Sequence, residues 1–151
     1  MFNFLNMSDF LIRKYSANDQ QDVIALWSQC GLVTPQNDPK RDIEKKLHVN
    51  PEWFLVGELD GKIIATCMTG YEGHRGWINY LAVSQPYRRQ GFATRMMQEA
   101  EKLLRDDCCP KINLQIRTSN TDVIAFYEAI GFRKDDVVGM GKRLEQDNRN
   151  Y

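Results

Sequence analysis

The residues best suited to chemistry form one continuous stretch, Leu81-Ala82-Val83-Ser84-Gln85-Pro86-Tyr87-Arg88-Arg89-Gln90-Gly91-Phe92-Ala93-Thr94. An apolar run leads into a basic turn, and small residues follow where a helical pattern begins. This order describes an anion cradle. The first N–H groups of a helix have no internal acceptor, and the helix dipole adds partial positive charge there. A phosphate bound at that end satisfies both. Arg88 and Arg89 strengthen the same field. Gly91, lacking a Cβ, lets a bulky pyrophosphate approach the backbone, and Ala93 keeps the approach nearly as open. A lysine-type phosphate loop is not indicated, since no Gly-Lys-Ser/Thr follows. The competing reading is a solvated polar turn ahead of an ordinary helix.

The elements around this stretch must position it. Phe10 to Lys14 reads as a first strand, preceded by a loose extension over residues 1–8. From Asp19 to Cys30, Val23, Leu26, Trp27 and Cys30 fall at i, i+3, i+4 and i+7, one face of a helix closed by Gly31. Asn37-Asp38-Pro39 supplies a cap and a proline at the first helical position of a second, short helix carrying Ile43 and Leu47. Trp53 to Leu59 and Lys62 to Thr69 flank Asp60-Gly61, a two-residue hairpin signal. Gly70 to Gly76 reads as a loop or an irregular strand end, and Trp77 to Val83 as a strand feeding a helix from about Gly91 to Arg105. Ile112 to Ile116 forms a further strand, Asn120 to Ile130 a helix, and Phe132 to Arg143 has room for one or two closing strands. The order is β-α-α-β-β-β-α-β-α-β-β. One βαβ crossover predicts an α/β (α+β) fold: a mixed sheet with a parallel pair in the middle and helices on its faces.

Composition narrows the function classes. The 151 residues carry 20 basic and 20 acidic side chains, with 42% hydrophobic, 11% aromatic and 26% charged residues. A single globular domain over residues 9–151 is expected. Balanced charge gives no field that would draw the chain to nucleic acid or an anionic membrane. Trp27, Trp53 and Trp77 are scattered through core elements and make no stacking platform. Cys30, Cys67, Cys108 and Cys109 lack Cys-x-x-Cys spacing, and His48 and His74 are isolated, so no metal is expected. No signal-peptide pattern and no membrane-spanning run is present, which makes a cytoplasmic location the expectation.

Arg88-x-x-Gly91-x-Ala93 after an apolar strand is similar to the acetyl-CoA motif of the GNAT superfamily, Gln/Arg-x-x-Gly-x-Gly/Ala. A second stretch, Asn120-Thr121-Asp122-Val123-Ile124-Ala125-Phe126-Tyr127-Glu128-Ala129-Ile130-Gly131-Phe132, resembles that family's later motif, in which Asn, Ala, Phe-Tyr and Gly-Phe recur. The element order from Phe10 to about Arg143 is similar as well. Asn37-Asp38-Pro39 and the Gly70 to Gly76 loop resemble the YpeA-like branch. The resemblance implies a mostly antiparallel sheet with a central parallel pair, and acetyl-CoA as co-substrate of an N-acetyltransferase. Backbone groups of Leu81, Ala82 and Val83 would meet the pantetheine arm, and Arg88, Arg89, Gln90, Gly91, Phe92, Ala93 and Thr94 the pyrophosphate. Asn120 and Tyr127 would lie near the pantetheine end. Tyr127 resembles the family's general acid; a phenol of pKa ~10 stays protonated at neutral pH and can hand its proton to a departing thiolate. Packing in the core is its alternative role.

Direct attack on a thioester needs a neutral amine, yet a lysine-like amine is only about one part in a few thousand neutral at pH 7. Glu72 and His74, in the loop before the cofactor strand, are candidate proton acceptors, with Glu72 preferred. A backbone N–H near Val83 could polarise the thioester carbonyl. The rival reading is a CoA-binding regulatory or interaction module that keeps the cradle without turnover; it gives no reason for Asn120 and Tyr127. The acceptor amine is not named by any residue, although the first two helices and the Gly70 to Gly76 loop should overhang the acetyl group. The closing strands could pair across the axis of a homodimer.

Overall fold

A computed structural model describes residues 9–145. The extension expected over residues 1–8 lies outside the described residues. Five strands form one sheet in the order β1-β2-β3-β4-β5. They are β1 (Phe10–Lys14), β2 (Phe54–Leu59), β3 (Lys62–Tyr71), β4 (Gly76–Val83) and β5 (Ile112–Asn113). The first four are antiparallel neighbours, and β4 with β5 is parallel. Four helices cover the sheet: α1 (Gln20–Gln29), α2 (Pro39–Lys46), α3 (Phe92–Asp106) and α4 (Thr121–Ala129). No described helix is long and apolar enough to cross a membrane.

The sheet is apolar on both sides because helices cover both. Val23, Leu26, Trp27 and Ile43 from α1 and α2 pack on Phe54, Val56, Met68 and Ala82. On the other side Phe92, Met96, Met97 and Ala100 of α3, with Tyr127 of α4, pack on Leu55, Ile64, Cys67 and Val83. That is why β3 is buried continuously from Ile63 to Thr69, as strands covered on both faces are. The expected helices begin and end within a residue or two of their signals. Asp38 accepts from the Arg41 amide at 3.2 Å as N-cap of α2.

Two expectations are corrected. The strand read as Ile112 to Ile116 pairs only over Ile112–Asn113. The segment Phe132 to Arg143 forms no strand: Val137, Val138 and Met140 are 75%, 87% and 92% exposed. Gly139 and Gly141 weaken strand propensity there, and the segment is tied down by side chains instead, through Lys111–Asp135 at 2.7 Å and Arg143 to the Gln36 carbonyl at 3.1 Å. The parallel pair therefore lies at the sheet edge among the described residues, and the ladder on which a homodimer contact was expected is not formed.

Close packing under the cradle begins at Gly57. A Cβ there would meet the Phe10 ring at 2.4 and 2.6 Å and the Ala65 Cβ at 3.1 Å. Phe10 cannot yield easily, being 3% exposed and packed on Phe92 with ring centroids 4.7 Å apart. Phe92 is the first residue of α3. Gly57→Ala should therefore lower unfolding stability by ~1–3 kcal/mol, as overpacking does. The readout is a lower urea midpoint at unchanged m-value.

Candidate active site

The site is built where β4 leaves its neighbour. β4 and β5 pair only at Gly76↔Ile112 and Trp77↔Asn113; beyond those rungs they part. On the other side of β4, Thr66 faces Ala82 and Met68 faces Asn79. Tyr80 and Leu81 thus stand opposite the single residue Cys67. Two residues against one is a β-bulge, which bends the strand carrying it. Tyr80 takes the left-handed conformation there, with φ 51°. Past the bulge, Ser84 N donates to the Ile64 carbonyl at 2.7 Å. By the alternation of an antiparallel ladder, Ser84 and Ala82 face β3, while Val83 and Leu81 present their backbone groups to the gap.

The cradle lies at the open end of that gap. Arg89 has φ 61° and Gly91 φ 85°, winding the turn tightly into α3. Gly91 is the N-cap and supplies no side-chain cap, so the amides of the first helical turn, Phe92 to Thr94, point outward without an intrahelical acceptor. Phe92 itself is core, 1% exposed; only its amide is on offer. Ala93 packs partly against the same cluster and Thr94 is half-buried. Arg89 and Gln90 are exposed, with Gln90 Nε2 donating to the Pro86 carbonyl at 3.3 Å. Arg88 folds back on the strand end, its Nε donating to the Val83 carbonyl at 3.0 Å and its Nη2 lying 3.5 Å from the Cys30 sulfur.

Tyr127 projects from α4 into the apolar cluster that also holds Leu81, Val83 and Phe92. It is 7% exposed and touches the Phe126 and Phe132 rings edge-on. Its hydroxyl has no hydrogen-bond partner among the described residues. Burial, with the Cys67 thiol nearby, raises its pKa well above the ordinary phenol value. Burial also pushes the Cys67 thiol up to about 12. Asn120 is the N-cap of α4 yet makes no side-chain cap bond, leaving its amide exposed. A cleft of about 1510 Å³ opens beside Tyr127, lined by β5 and by residues 130–141. It contains none of the residues from Leu81 to Thr94.

The structure does not bring Glu72 to the gap. Its Oε1 accepts the His74 amide at 3.2 Å and also the Arg75 amide, so the carboxylate caps the β3–β4 turn. Leu81 stands five residues beyond Gly76, about 15 Å of strand. His74 is exposed in the same turn.

Sequence reasoning missed the group on the opposite face of β4. The Tyr80 ring stacks on Trp27 with centroids 3.9 Å apart and planes 19° from parallel. Trp27 Nε1 donates to Thr66 Oγ1 at 2.9 Å, and Thr66 donates on to the Tyr80 carbonyl at 2.8 Å. The Tyr80 hydroxyl donates to Asp42 Oδ2 and accepts from Asn37 Nδ2. Burial and the neighbouring carboxylate raise the pKa of this phenol, so it remains a donor. Nothing in the spacing of Asn37, Asp42 and Tyr80 signals the contact.

Comparison with known proteins agrees with this architecture. The model of the Acetyltransferase (GNAT) family matches residues 19–132. An acetyltransferase of Yersinia pestis (strain Pestoides F) is 44% identical over 136 residues, 90% of this chain and 96% of its own. Among solved structures, the ribosomal-protein-S18-alanine N-acetyltransferase of Escherichia coli superposes with TM-score 0.71 at 20% identity, covering 83% of this chain and 79% of its own. AAC(6')-Iy in complex with the bisubstrate analogue CoA-S-monomethyl-acetylneamine gives TM-score 0.73 at 17% identity, covering 89% and 98%. The chain thus belongs to the acetyltransferase (GNAT) family and is an acyl-CoA-dependent N-acetyltransferase with acetyl-CoA as its co-substrate.

Proposed function

We propose that residues 9–151 form one cytosolic catalytic domain that transfers the acetyl group directly to a primary amine of a small molecule or protein, with the cofactor between β4 and β5. The observation that carries this reading is the parting of β4 from β5 immediately before an uncapped helix N-terminus with Gly91 at φ 85°. The pyrophosphate rests on amides from Arg89 to Thr94, beside Arg88. The pantetheine arm adds to the free side of β4 at Leu81 and Val83, flanking Ala82, and Asn120 holds its far end. Binding in this register displaces Arg88 Nε from the Val83 carbonyl. Four free cysteines suit a reducing compartment.

In the transfer, the amine nitrogen attacks the thioester carbonyl carbon. The N–C bond forms, the C–S bond breaks, and sulfur leaves with the electron pair. Tyr127 gives its phenolic proton to that sulfur, and a backbone N–H of β4 supports the charge that develops on the carbonyl oxygen. The amine loses its proton to water, from which Tyr127 is reprotonated. Because the Glu72 carboxylate is engaged by its own turn, Glu72→Gln should change kcat/KM less than about threefold, against the 10²–10⁴-fold of a positioned base. Steady-state CoA release at several pH values measures this. Of the two structural neighbours named above, one is a ribosomal-protein-S18-alanine N-acetyltransferase and the other holds CoA-S-monomethyl-acetylneamine, so the acceptor panel must span protein and small-molecule amines.

The deciding experiment is calorimetric titration of acetyl-CoA, followed by CoA release with peptides, amino acids, polyamines and aminoglycosides. One-site binding and release driven by one amine class are expected. Absence of acetyl-CoA binding by well-folded protein would overturn the reading.

A further inference from the structure

The β4 bulge holds a bulky residue in a conformation that such residues rarely adopt. Left-handed backbone at a tyrosine is strained and persists only where surrounding contacts over-determine it. Around Tyr80 those contacts come from both acceptor-side elements. The ring lies on Trp27 of α1, the carbonyl is held by Thr66 of β3, and the hydroxyl is shared between Asn37 and Asp42 of the α1–α2 connection and α2. Asn37 is itself fixed, accepting from the Thr34 amide at 2.7 Å and donating to the Leu32 carbonyl at 2.9 Å. Tyr80 directly precedes Leu81, whose backbone faces the cofactor gap.

We infer that Tyr80 is a positioning residue: held by Asn37 and Asp42, it sets the direction of the Leu81 and Val83 backbone groups that receive the thioester. The inference rests on the proposed cofactor register. It ties the elements that face the acceptor to the strand that faces the acetyl group, so the Tyr80 hydroxyl acts on chemistry without touching a substrate. Misplacement of a reacting carbonyl by about 1 Å costs on the order of 10²-fold in rate. The pyrophosphate cradle, on the far side of Val83, does not depend on it.

Tyr80→Phe keeps the ring on Trp27 and removes only the hydroxyl. Its kcat should fall at least tenfold while the acetyl-CoA dissociation constant changes less than about threefold. Asp42→Ala should reproduce this, Asp42→Asn, whose amide oxygen still accepts, should recover most of the loss, and the double variant Tyr80→Phe/Asp42→Ala should be no worse than either single one. Amide hydrogen exchange in the ligand-free protein gives a second reading that needs no turnover: exchange at Ala82 and Ser84, the amides just past the bulge that face β3, should rise at least tenfold in Tyr80→Phe, with β2 unchanged. Unaltered exchange at those two amides, or a lowered melting temperature with kcat intact, would overturn the inference. Failure of the wild type to bind acetyl-CoA would instead overturn the acetyltransferase mechanism, leaving the exchange result to stand for Tyr80.

Discussion

Tyr127→Phe is expected to lower kcat by about 10²–10³-fold with the KM for acetyl-CoA nearly unchanged, the signature of losing a general acid. The substitution removes one oxygen and keeps the ring, so the contacts with Phe126 and Phe132 survive. Because the hydroxyl has no protein partner among the described residues, its loss leaves no buried group unsatisfied, and stability should move little. An effect on rate without an effect on the melting temperature separates acid catalysis from packing. The pH profile adds a sign. The folded-state pKa of Tyr127 lies above its ordinary value of ~10, raised mainly by burial. Its proton is therefore present throughout the neutral range and is lost only as pH climbs past that raised value. The descending limb of the wild-type profile attributable to this acid should lie above pH ~10. A variant retaining more than about a third of wild-type kcat would assign Tyr127 to the core alone.

Gly91→Asp should weaken acetyl-CoA binding by about 10²-fold more than Gly91→Asn, measured by calorimetry at low salt. Both replacements tolerate left-handed backbone better than other residues, and both fill the same volume where φ is 85°. Their difference is one negative charge at the cradle. A carboxylate ~5 Å from a phosphate charge, at an effective dielectric near 20, costs ~3 kcal/mol, which is about two decades in affinity. The same carboxylate is favourable for the helix itself, since the N-terminus carries partial positive charge. A weaker complex cannot then be blamed on a frayed α3. Raising ionic strength should narrow the gap between the two variants. Equal affinities would place the pyrophosphate elsewhere.

Much of this arrangement was legible in residue order. The apolar spacing of Val23, Leu26 and Trp27, the cap at Asp38, and the Asp60-Gly61 turn each act within a few residues, and local geometry is enough to read them. The same holds for the cradle, because a helix N-terminus after a strand is defined by neighbours in sequence, with Gly91 needed for its positive φ. Asn120 and Tyr127 stand out only through family resemblance, and the packing of Tyr127 into the cluster with Leu81 and Val83 depends on how α4 sits on the sheet. Glu72 caps its own turn for a local reason: an acidic residue at the start of a tight turn serves its own amides first.

Residue order alone is enough for the elements as far as α4, the single crossover and the turn into an uncapped helix N-terminus, all set by interactions of short range. How far strands pair is a property of the folded chain alone. Whether Ile112 to Ile116 makes two rungs or five, and whether Phe132 to Arg143 joins the sheet, depends on contacts across the fold, as does the meeting of Tyr80 with Asn37 and Asp42 some 40 residues away. Side chains that meet across such a separation leave no periodic trace, since only packing brings them together.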